Sequence, residues 1–477
     1  MNEVVFPRAE DGRRSGSALG RAVVADALRV ADPAAAAAAE RERDWRTGYL
    51  RHFRALVEAG LDGGYDIARA GLASVHSRMR ITSGADEVPL DHAFTTESKV
   101  AEPLDTVTVH GEGKPEQELV LPYRGELLRG DALLRRLDDW VRAGTIEESC
   151  AEAVRAVAAE PDWLDLSDQR LVVLGAGAEM GPLPAVLAWG GTVIGVDLPR
   201  PRVWERVAAT ARQSAGTLIA PGATIEGAGV DLLTGLPAAA QWLLGIEGRL
   251  VLGNYVYAPG AAYPRLSAAV DALAEHVRRE RPGTALAFLA TPTDAFAVPA
   301  GAVAQAAARF RDRPAAARVL AAMSGGRLLQ PNYPPGAGPG IADSLVPQQG
   351  PNYALAKRIQ RWRASVARHD GTTVSFSVAP PTRTRSVLSN RLLAAAYAGA
   401  HVFGAEIFEP ATSNRLMAAL LVHQLRKPRP AAPSAWTDET IGAAHGGLWR
   451  VAYQPRTVLG LAAVRGLPAA LARPPRG

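Results

Sequence analysis

The spacing of apolar residues predicts that the chain changes its type of structure near residue 165. Before this point apolar residues recur mostly every three or four positions, as on the buried face of a helix. Asp32 followed by a proline is a typical helix start, and another amphipathic helix is predicted from Asp131. Residues 104–123 alternate between polar and apolar positions, which predicts a β-hairpin. We therefore expect residues 1–165 to form a mainly helical N-terminal domain with a small β-hairpin.

Residues 166–425 alternate between short apolar runs and amphipathic segments, the pattern of a parallel sheet covered by helices. This pattern predicts an α/β domain. Within it, residues 294–350 are alanine-rich and then rich in Pro and Gly, and we predict them to be an insertion. Residues 426–477 are predicted to be a Pro-rich C-terminal extension. The predicted strands are one starting at Leu171, one ending at Asp197, the end of one at 229–232, and three at 249–255, 284–291 and 372–380.

The segment LVVLGAGAEMGPLPAVLAWGGTVIGVD, from Leu171 to Asp197, predicts the first β-α-β unit of a nucleotide-binding sheet. Gly175 permits a tight turn, and Gly177 lets backbone amides approach a ligand without an intervening Cβ. The N-terminus of the following helix is expected to present free N–H groups to a phosphate. Asp197 stands where a carboxylate accepts hydrogen bonds from a ribose. The turn alone fits both a dinucleotide for hydride transfer and S-adenosylmethionine for methyl transfer.

Composition excludes several classes of function. The net charge of +5 comes from 53 basic and 48 acidic residues, a mild excess that we ascribe to solubility rather than to nucleic-acid binding. The single cysteine, Cys150, excludes a disulfide framework and a cysteine metal site, and the nine histidines show no metal spacing, so no metal is expected. No uncharged apolar run reaches the roughly 18–20 residues that span a bilayer, and no signal-peptide pattern is present, so we expect a cytoplasmic protein without a membrane partner.

Four of the basic residues are lysines, and one of them follows a tyrosine at helical spacing. Tyr353 and Lys357 are separated by one turn, so both side chains project from the same face of a predicted helix. A phenol with a pKa near 10 is a poor base at neutral pH unless a fixed cation stabilises its anion, and a compact ammonium suits this better than a guanidinium. The pair is therefore predicted to be catalytic. The alternative is a solvated helix face that also carries Arg358 and Arg361.

Residues from about 168 to 425 resemble the short-chain dehydrogenase/reductase family in the order of their motifs. A glycine turn follows the first strand, an acid the second, and an asparagine the fourth, and a hydroxyl residue ends the fifth. A Y-x-x-x-K pair and a Pro-Thr segment come next. The residues that carry this order are Gly175, Gly177, Gly181, Asp197, Asp231, Asn254, Thr291 (or Thr293), Tyr353 and Lys357.

The resemblance implies a doubly wound Rossmann sheet that binds NAD(P) and transfers a hydride between the nicotinamide and a small-molecule carbonyl or alcohol. Tyr353 would then be the acid/base, Lys357 would bind the nicotinamide ribose and lower the tyrosine pKa, and Thr291 would orient the carbonyl. The acid at Asp197 favours NAD, although Arg200 and nearby basic residues leave NADP open. The cofactor site would also be lined by Gly175, Gly177, Gly181, Asp231 and Asn254.

Two departures from the family keep other interpretations open. Glu179 stands where the family has the middle glycine of its turn, and about 60 residues separate Thr291 from Tyr353. A methyltransferase remains the rival enzyme, because GAG followed by an acid after the second strand also describes its cofactor loop. A non-catalytic dinucleotide-binding regulatory or scaffold protein is the third interpretation, and a homo-oligomer is compatible with each of the three.

Overall fold

The computed structural model describes residues 2–84, 86–94 and 103–471, and helices form about half of them. The strands are β1 (Val4–Val5), β2 (Arg80–Ser83), β3 (Asp86–Pro89), β4 (Thr106–His110), β5 (Leu121–Tyr123), β6 (Glu126–Leu128), β7 (Gln169–Leu174), β8 (Thr192–Val196), β9 (Thr217–Pro221), β10 (Arg249–Asn254), β11 (Ala285–Ala290), β12 (Ala295–Val298), β13 (Gly340–Asp343) and β14 (Val374–Val378).

Helices of very different length connect these strands, and three short 3-10 helices span Leu90–His92, Pro161–Leu164 and Ala400–Phe403. The α-helices are α1 (Gly16–Arg29), α2 (Pro33–Glu40), α3 (Trp45–Arg78), α4 (Gly130–Arg142), α5 (Glu148–Ala159), α6 (Leu183–Ala188), α7 (Pro201–Gln213), α8 (Leu236–Leu244), α9 (Ala262–Glu280), α10 (Ala300–Arg311), α11 (Ala315–Met323), α12 (Pro351–His369), α13 (Arg385–Ser389), α14 (Arg391–Gly399), α15 (Pro410–Arg426), α16 (Ala435–Thr440) and α17 (Pro455–Leu471).

A seven-stranded sheet in the order β14-β11-β10-β7-β8-β9-β4 forms the centre of the molecule. Six strands are parallel, and β4 pairs antiparallel with β9 at one edge. The chain runs from β7 outward through β8 and β9, then returns to the other side of β7 for β10, β11 and β14. The order therefore reverses between β7 and β10, and the expectation of a mixed α/β protein with a mostly parallel central sheet is confirmed.

Alternate residues of the strands feed two hydrophobic cores, one on each face of the sheet. Val172 and Leu174 of β7 join the first core, which also contains α9, α12 and residues of α1 and α3. Leu171 and Val173 join the second core, together with α5 and α15. Because both faces are covered, the strands are apolar at nearly every position, as in buried parallel sheets.

Residues before 165 contribute to both cores. That residues 1–165 form a separate, mainly helical domain stays a prediction. The predicted hairpin over 104–123 is wrong. β4 instead joins the central sheet as its antiparallel edge, and β5 pairs with β6. The predicted position of the third strand is also wrong, because β9 ends at Pro221 and residues 229–232 form a loop beside Asp197.

α12 lies inside the first core and carries several buried arginines. Asp294, at the start of β12, accepts hydrogen bonds from Arg358 Nη2 at 3.0 Å and Arg361 Nη1 at 2.6 Å. Arg361 also forms a two-pronged pair with Glu439, at 2.9 and 2.6 Å. Both arginine side chains are at most 5% exposed. The alternative of a solvated helix face is therefore wrong, since Arg358 and Arg361 are buried and paired with acids.

Between β11 and α12, strands β12 and β13 form a two-stranded ribbon, with α10 and α11 between them in the chain. That residues 294–350 are an insertion stays a prediction. The C-terminal residues described include α16 and α17, and α17 packs against α14. In the part of the chain that the structure describes, no helix combines the length and apolar character needed to cross a membrane.

α14 and α17 approach each other closely at two glycines. A Cβ on Gly466 would lie 1.9 Å from the carbonyl oxygen of Ala395, and a Cβ on Gly399 would lie 2.1 Å from that of Ala462. Backbone atoms cannot move aside as a flexible side chain can. The contact between the two helices therefore depends on both glycines.

We predict that Gly466→Ala lowers the free energy of unfolding by about 1–3 kcal/mol, because the added methyl group separates α17 from α14. Urea unfolding and limited proteolysis of α17 measure the effect. Gly460→Ala is the matched control on the same helix, because a Cβ added there would meet no atom within 4 Å. It should leave stability unchanged or raise it by up to about 1 kcal/mol. Equal behaviour of the two variants would contradict the prediction.

Candidate functional site

A cavity of about 460 Å³ lies at the carboxyl ends of β10, β11 and β14. This edge is where ligands bind in open parallel sheets, next to the point where the strand order reverses. The floor is formed by residues at or just after the ends of these strands, including Tyr257, Leu289 and Ala379. Helices α14 and α17 form part of the wall. Thr291, Tyr353 and Lys357 all line this cavity. The structure thus brings together the predicted catalytic residues.

Tyr353 lies in the first turn of α12, and it lines the cavity together with Thr291. Burial raises the pKa of the phenol to about 12, although the Thr291 contact lowers it. Thr291 Oγ1 lies 2.9 Å from Thr293 Oγ1, which accepts a hydrogen bond of 2.7 Å from Gln349 Nε2. The phenol therefore keeps its proton near neutral pH, and Thr291 belongs to a separate chain of fixed polar groups that runs through Thr293 to Gln349.

Lys357 Nζ donates to the carbonyl oxygen of Leu289 at 3.3 Å and to Gln360 Oε1 at 3.0 Å. Gln360 Nε2 in turn donates to Asn254 Oδ1 at 3.4 Å, so Asn254 reaches the lysine through Gln360. Burial lowers the pKa of Lys357 to about 8, although nearby Asp294 raises it. The amine is thus oriented by neutral oxygen atoms and titrates near physiological pH.

The glycine turn is built as the sequence predicts in one respect. Gly175 has a φ of 91°, and a Cβ there would lie 2.9 Å from the carbonyl oxygen of Tyr255, so glycine is required. Gly177 N donates to Asp197 Oδ2 at 2.8 Å, which ties the turn to the end of β8. At Gly181 there is more space for a side chain, because the nearest atom to an added Cβ would be 3.4 Å away.

The helix expected directly after the glycine turn starts later than predicted, and the first amides of the turn are used within the protein. The amides of Gly175 and Ala176 both donate to the carbonyl oxygen of Val196. The next helix, α6, starts only at Leu183 and has six residues. A cation lies at the turn instead, since Arg206 Nη2 donates to the Gly177 carbonyl oxygen at 2.9 Å.

The other residues of the predicted cofactor set lie outside the cavity lining. Asp231 accepts a hydrogen bond from Leu233 N at 2.9 Å and stabilises the turn before α8.

Glu179, which stands in place of the family's middle glycine, turns away from the glycine loop. Its Oε2 accepts a hydrogen bond of 2.8 Å from the backbone N–H of Arg385. Met180 is the residue through which the glycine turn reaches the cavity.

Sequence reasoning missed Gln349, Gln360 and Tyr257. Gln360 stands three residues after Lys357, a spacing that places both on one face of α12 and so gave a usable signal. Gln349 and Tyr257 lie on loops, where no periodicity shows which way a side chain points.

Among the described residues, no group of three or more His, Cys, Asp or Glu side chains is arranged to hold a metal ion.

Comparison with known proteins gives no family for this chain. No protein-family model matches the sequence, and no curated protein matches it at a significant level.

We predict that the Lys357 ammonium loses its proton with a midpoint near pH 8, because burial penalises the charged form. The protein is labelled by reductive methylation with ¹³C, and the Nζ-methyl resonances are followed by NMR from pH 6 to 11. Lys357→Arg identifies the resonance among those of the four lysines. A midpoint for Lys357 above pH 10 would show that the amine is solvated and would contradict the prediction.

Proposed function

We propose that this protein is an NAD(P)-dependent oxidoreductase that transfers a hydride to or from a small carbonyl or alcohol substrate. One observation carries the proposal: Thr291, Tyr353 and Lys357 line one cavity at the carboxyl edge of the sheet. These are the groups that the resemblance to short-chain dehydrogenases assigns to the reaction. They come from the end of β11 and from α12, far apart in the sequence.

The strand order favours a doubly wound Rossmann sheet as the nucleotide-binding fold. β9-β8-β7 and β10-β11-β14 are two sets of three parallel strands that meet at β7 and β10, as in the two halves of that fold. The helical residues before 165 would be an addition packed on its faces, together with β4 at the edge.

The residues at the glycine turn fit a dinucleotide, although through side chains rather than through the helix N-terminus. Arg206 contacts the turn, and Arg200 and Arg202 are exposed in the segment that follows Asp197. Guanidinium groups bind phosphates well, which supports NADP at least as much as NAD. Asp197 would accept from a ribose hydroxyl, and Lys357 would hold the nicotinamide end. A bound nicotinamide dinucleotide supplies or accepts the hydride.

The protonation states favour one direction of the reaction. Tyr353 keeps its proton at neutral pH because burial raises its pKa to about 12, so it is poised to donate to a carbonyl oxygen. Thr291, which lines the same cavity and is held by Thr293, would orient that oxygen. Reduction of a carbonyl is therefore the proposed direction near neutral pH, since oxidation of an alcohol needs the phenolate.

We predict that NADH or NADPH raises the melting temperature of the protein and that S-adenosylmethionine does not. Arg206→Glu should weaken dinucleotide binding by at least about tenfold, because an acid at the turn repels phosphate. Arg212→Glu, an exposed position on the same helix α7, is the matched control and should bind normally. Stabilisation by S-adenosylmethionine alone would replace the proposal by a methyltransferase.

We predict that Tyr353→Phe lowers the rate of carbonyl reduction about a hundredfold or more, because the proton donor is lost, while dinucleotide affinity stays unchanged. Turnover is measured with a panel of aldehydes and ketones by the absorbance of the nicotinamide. Tyr257→Phe, at an exposed tyrosine of the same cavity, is the control. Dinucleotide binding with no turnover by the unmodified protein on any of the panel would favour the regulatory or scaffold alternative. Normal turnover by Tyr353→Phe would remove this residue from the mechanism.

A further inference from the structure

Large apolar side chains are exposed mainly on four neighbouring helical segments. Of the twelve that are exposed among the described residues, eight lie on α11, on α13, on α14 with the 3-10 helix that follows it, and on α17. We call these eight the apolar face. They are Val319, Leu320, Met323, Leu388, Leu392, Val402, Val464 and Leu467.

The apolar face follows helical spacing and points outward. α11 buries none of its residues, and Val319 and Met323 lie one turn apart on it, 58% and 81% exposed. On α17, Val464 and Leu467 are exposed, whereas Ala462 is buried against α14. A helix of a globular protein normally turns its apolar stripe inward. α11 and α17 instead carry large apolar side chains on the solvent side.

The helices that carry the apolar face contact one another. α14 packs on α17 through a small alanine cluster. Ala317 and Ala321 of α11 join the cluster of Tyr453 and Val458 at the start of α17, and Phe403 contacts both clusters. α14 and α17 also form part of the wall of the cavity described above.

The segments that carry the apolar face are strongly basic. Residues 300–330, 383–405 and 440–471 contain eleven arginines and one acidic residue, Asp312. Since the whole chain has a net charge of +5, the remaining residues carry a net negative charge. Five of the eleven arginines are exposed and form no ion pair with any described residue. They are Arg311, Arg318, Arg327, Arg391 and Arg465.

We propose that the apolar face binds the surface of an anionic lipid bilayer. The aliphatic side chains would enter the boundary between headgroups and acyl chains, and the unpaired arginines would contact lipid phosphates. A bilayer offers both chemistries at once. A second copy of this chain would bring the same arginines and repel them, and nucleic acid would leave the aliphatic side chains exposed to water. The proposal departs from the sequence expectation of no membrane partner and does not depend on the reaction proposed above.

Vesicle flotation with the full chain tests the proposal. The protein should float with phosphatidylcholine vesicles that contain about 30% phosphatidylglycerol and bind at least about tenfold more weakly to vesicles of phosphatidylcholine alone. Raising the salt concentration should weaken binding, because it screens the arginines. Binding of equal strength to both vesicles, or to neither, would overturn the proposal.

Two sets of variants separate the apolar and the electrostatic contributions. Val319→Ser/Leu320→Ser/Met323→Ser should reduce binding at least about tenfold, because each removes a side chain that would enter the bilayer. Leu127→Ser/Leu134→Ser, at exposed leucines elsewhere, is the matched control. Arg318→Glu/Arg327→Glu should reduce binding similarly, and Arg43→Glu/Arg46→Glu, also exposed, should not.

All of these positions are exposed, so each variant should keep the circular dichroism spectrum and melting temperature of the unmodified protein. An unchanged affinity of the apolar triple variant for anionic vesicles would overturn the proposal. A concentration-dependent dimer in analytical ultracentrifugation that this triple variant abolishes would identify a second copy as the occupant. Tighter binding of the apolar face to nucleic acid than to anionic vesicles would also overturn the proposal.

Discussion

The buried ion pairs of Asp294 with Arg358 and Arg361 determine where the parts of the candidate site stand. Asp294 begins the predicted insertion that follows β11, and the two arginines belong to α12, which carries Tyr353 and Lys357. Burial would raise the pKa of Asp294, but the arginines lower it overall. Removing one partner of a buried pair costs about 3–5 kcal/mol, because the other charge stays desolvated. The insertion and the helix are therefore fixed to each other, and Glu439 extends the connection to the C-terminal residues through Arg361.

Much of the central sheet could be predicted because its strands are buried on both faces. Continuous apolar runs ending in glycine or polar residues identified β7, β8, β10, β11 and β14. β4 could not be assigned to this sheet, since an edge strand with alternating polarity is equally typical of a hairpin. β9 was missed because a five-residue strand in a glycine-rich stretch carries little periodicity.

The candidate site was predictable where residue type is restrictive and not where tertiary packing decides. A tyrosine and a lysine one turn apart, in a chain with four lysines, indicated the cavity residues Tyr353 and Lys357. The burial of Arg358 and Arg361 was not foreseen, because arginines at helical spacing are usually solvated and their partners lie at distant positions. At the glycine turn the residue type was predicted correctly, because Gly175 is required. The hydrogen bonding was not, because amides expected to be free for a ligand are used within the protein.

Part of the cavity wall is formed by α17, which is synthesised after all the strands of the central sheet. Val458, Leu459 and Ala462 line the cavity, whereas the strands that form its floor precede them by some 80 residues or more. During translation the sheet can therefore assemble while its cavity is still open on one side. A ribosome-bound chain at that stage would expose an apolar concavity that the finished molecule covers. Closure of the cavity by α17 would then be a late step of folding during synthesis.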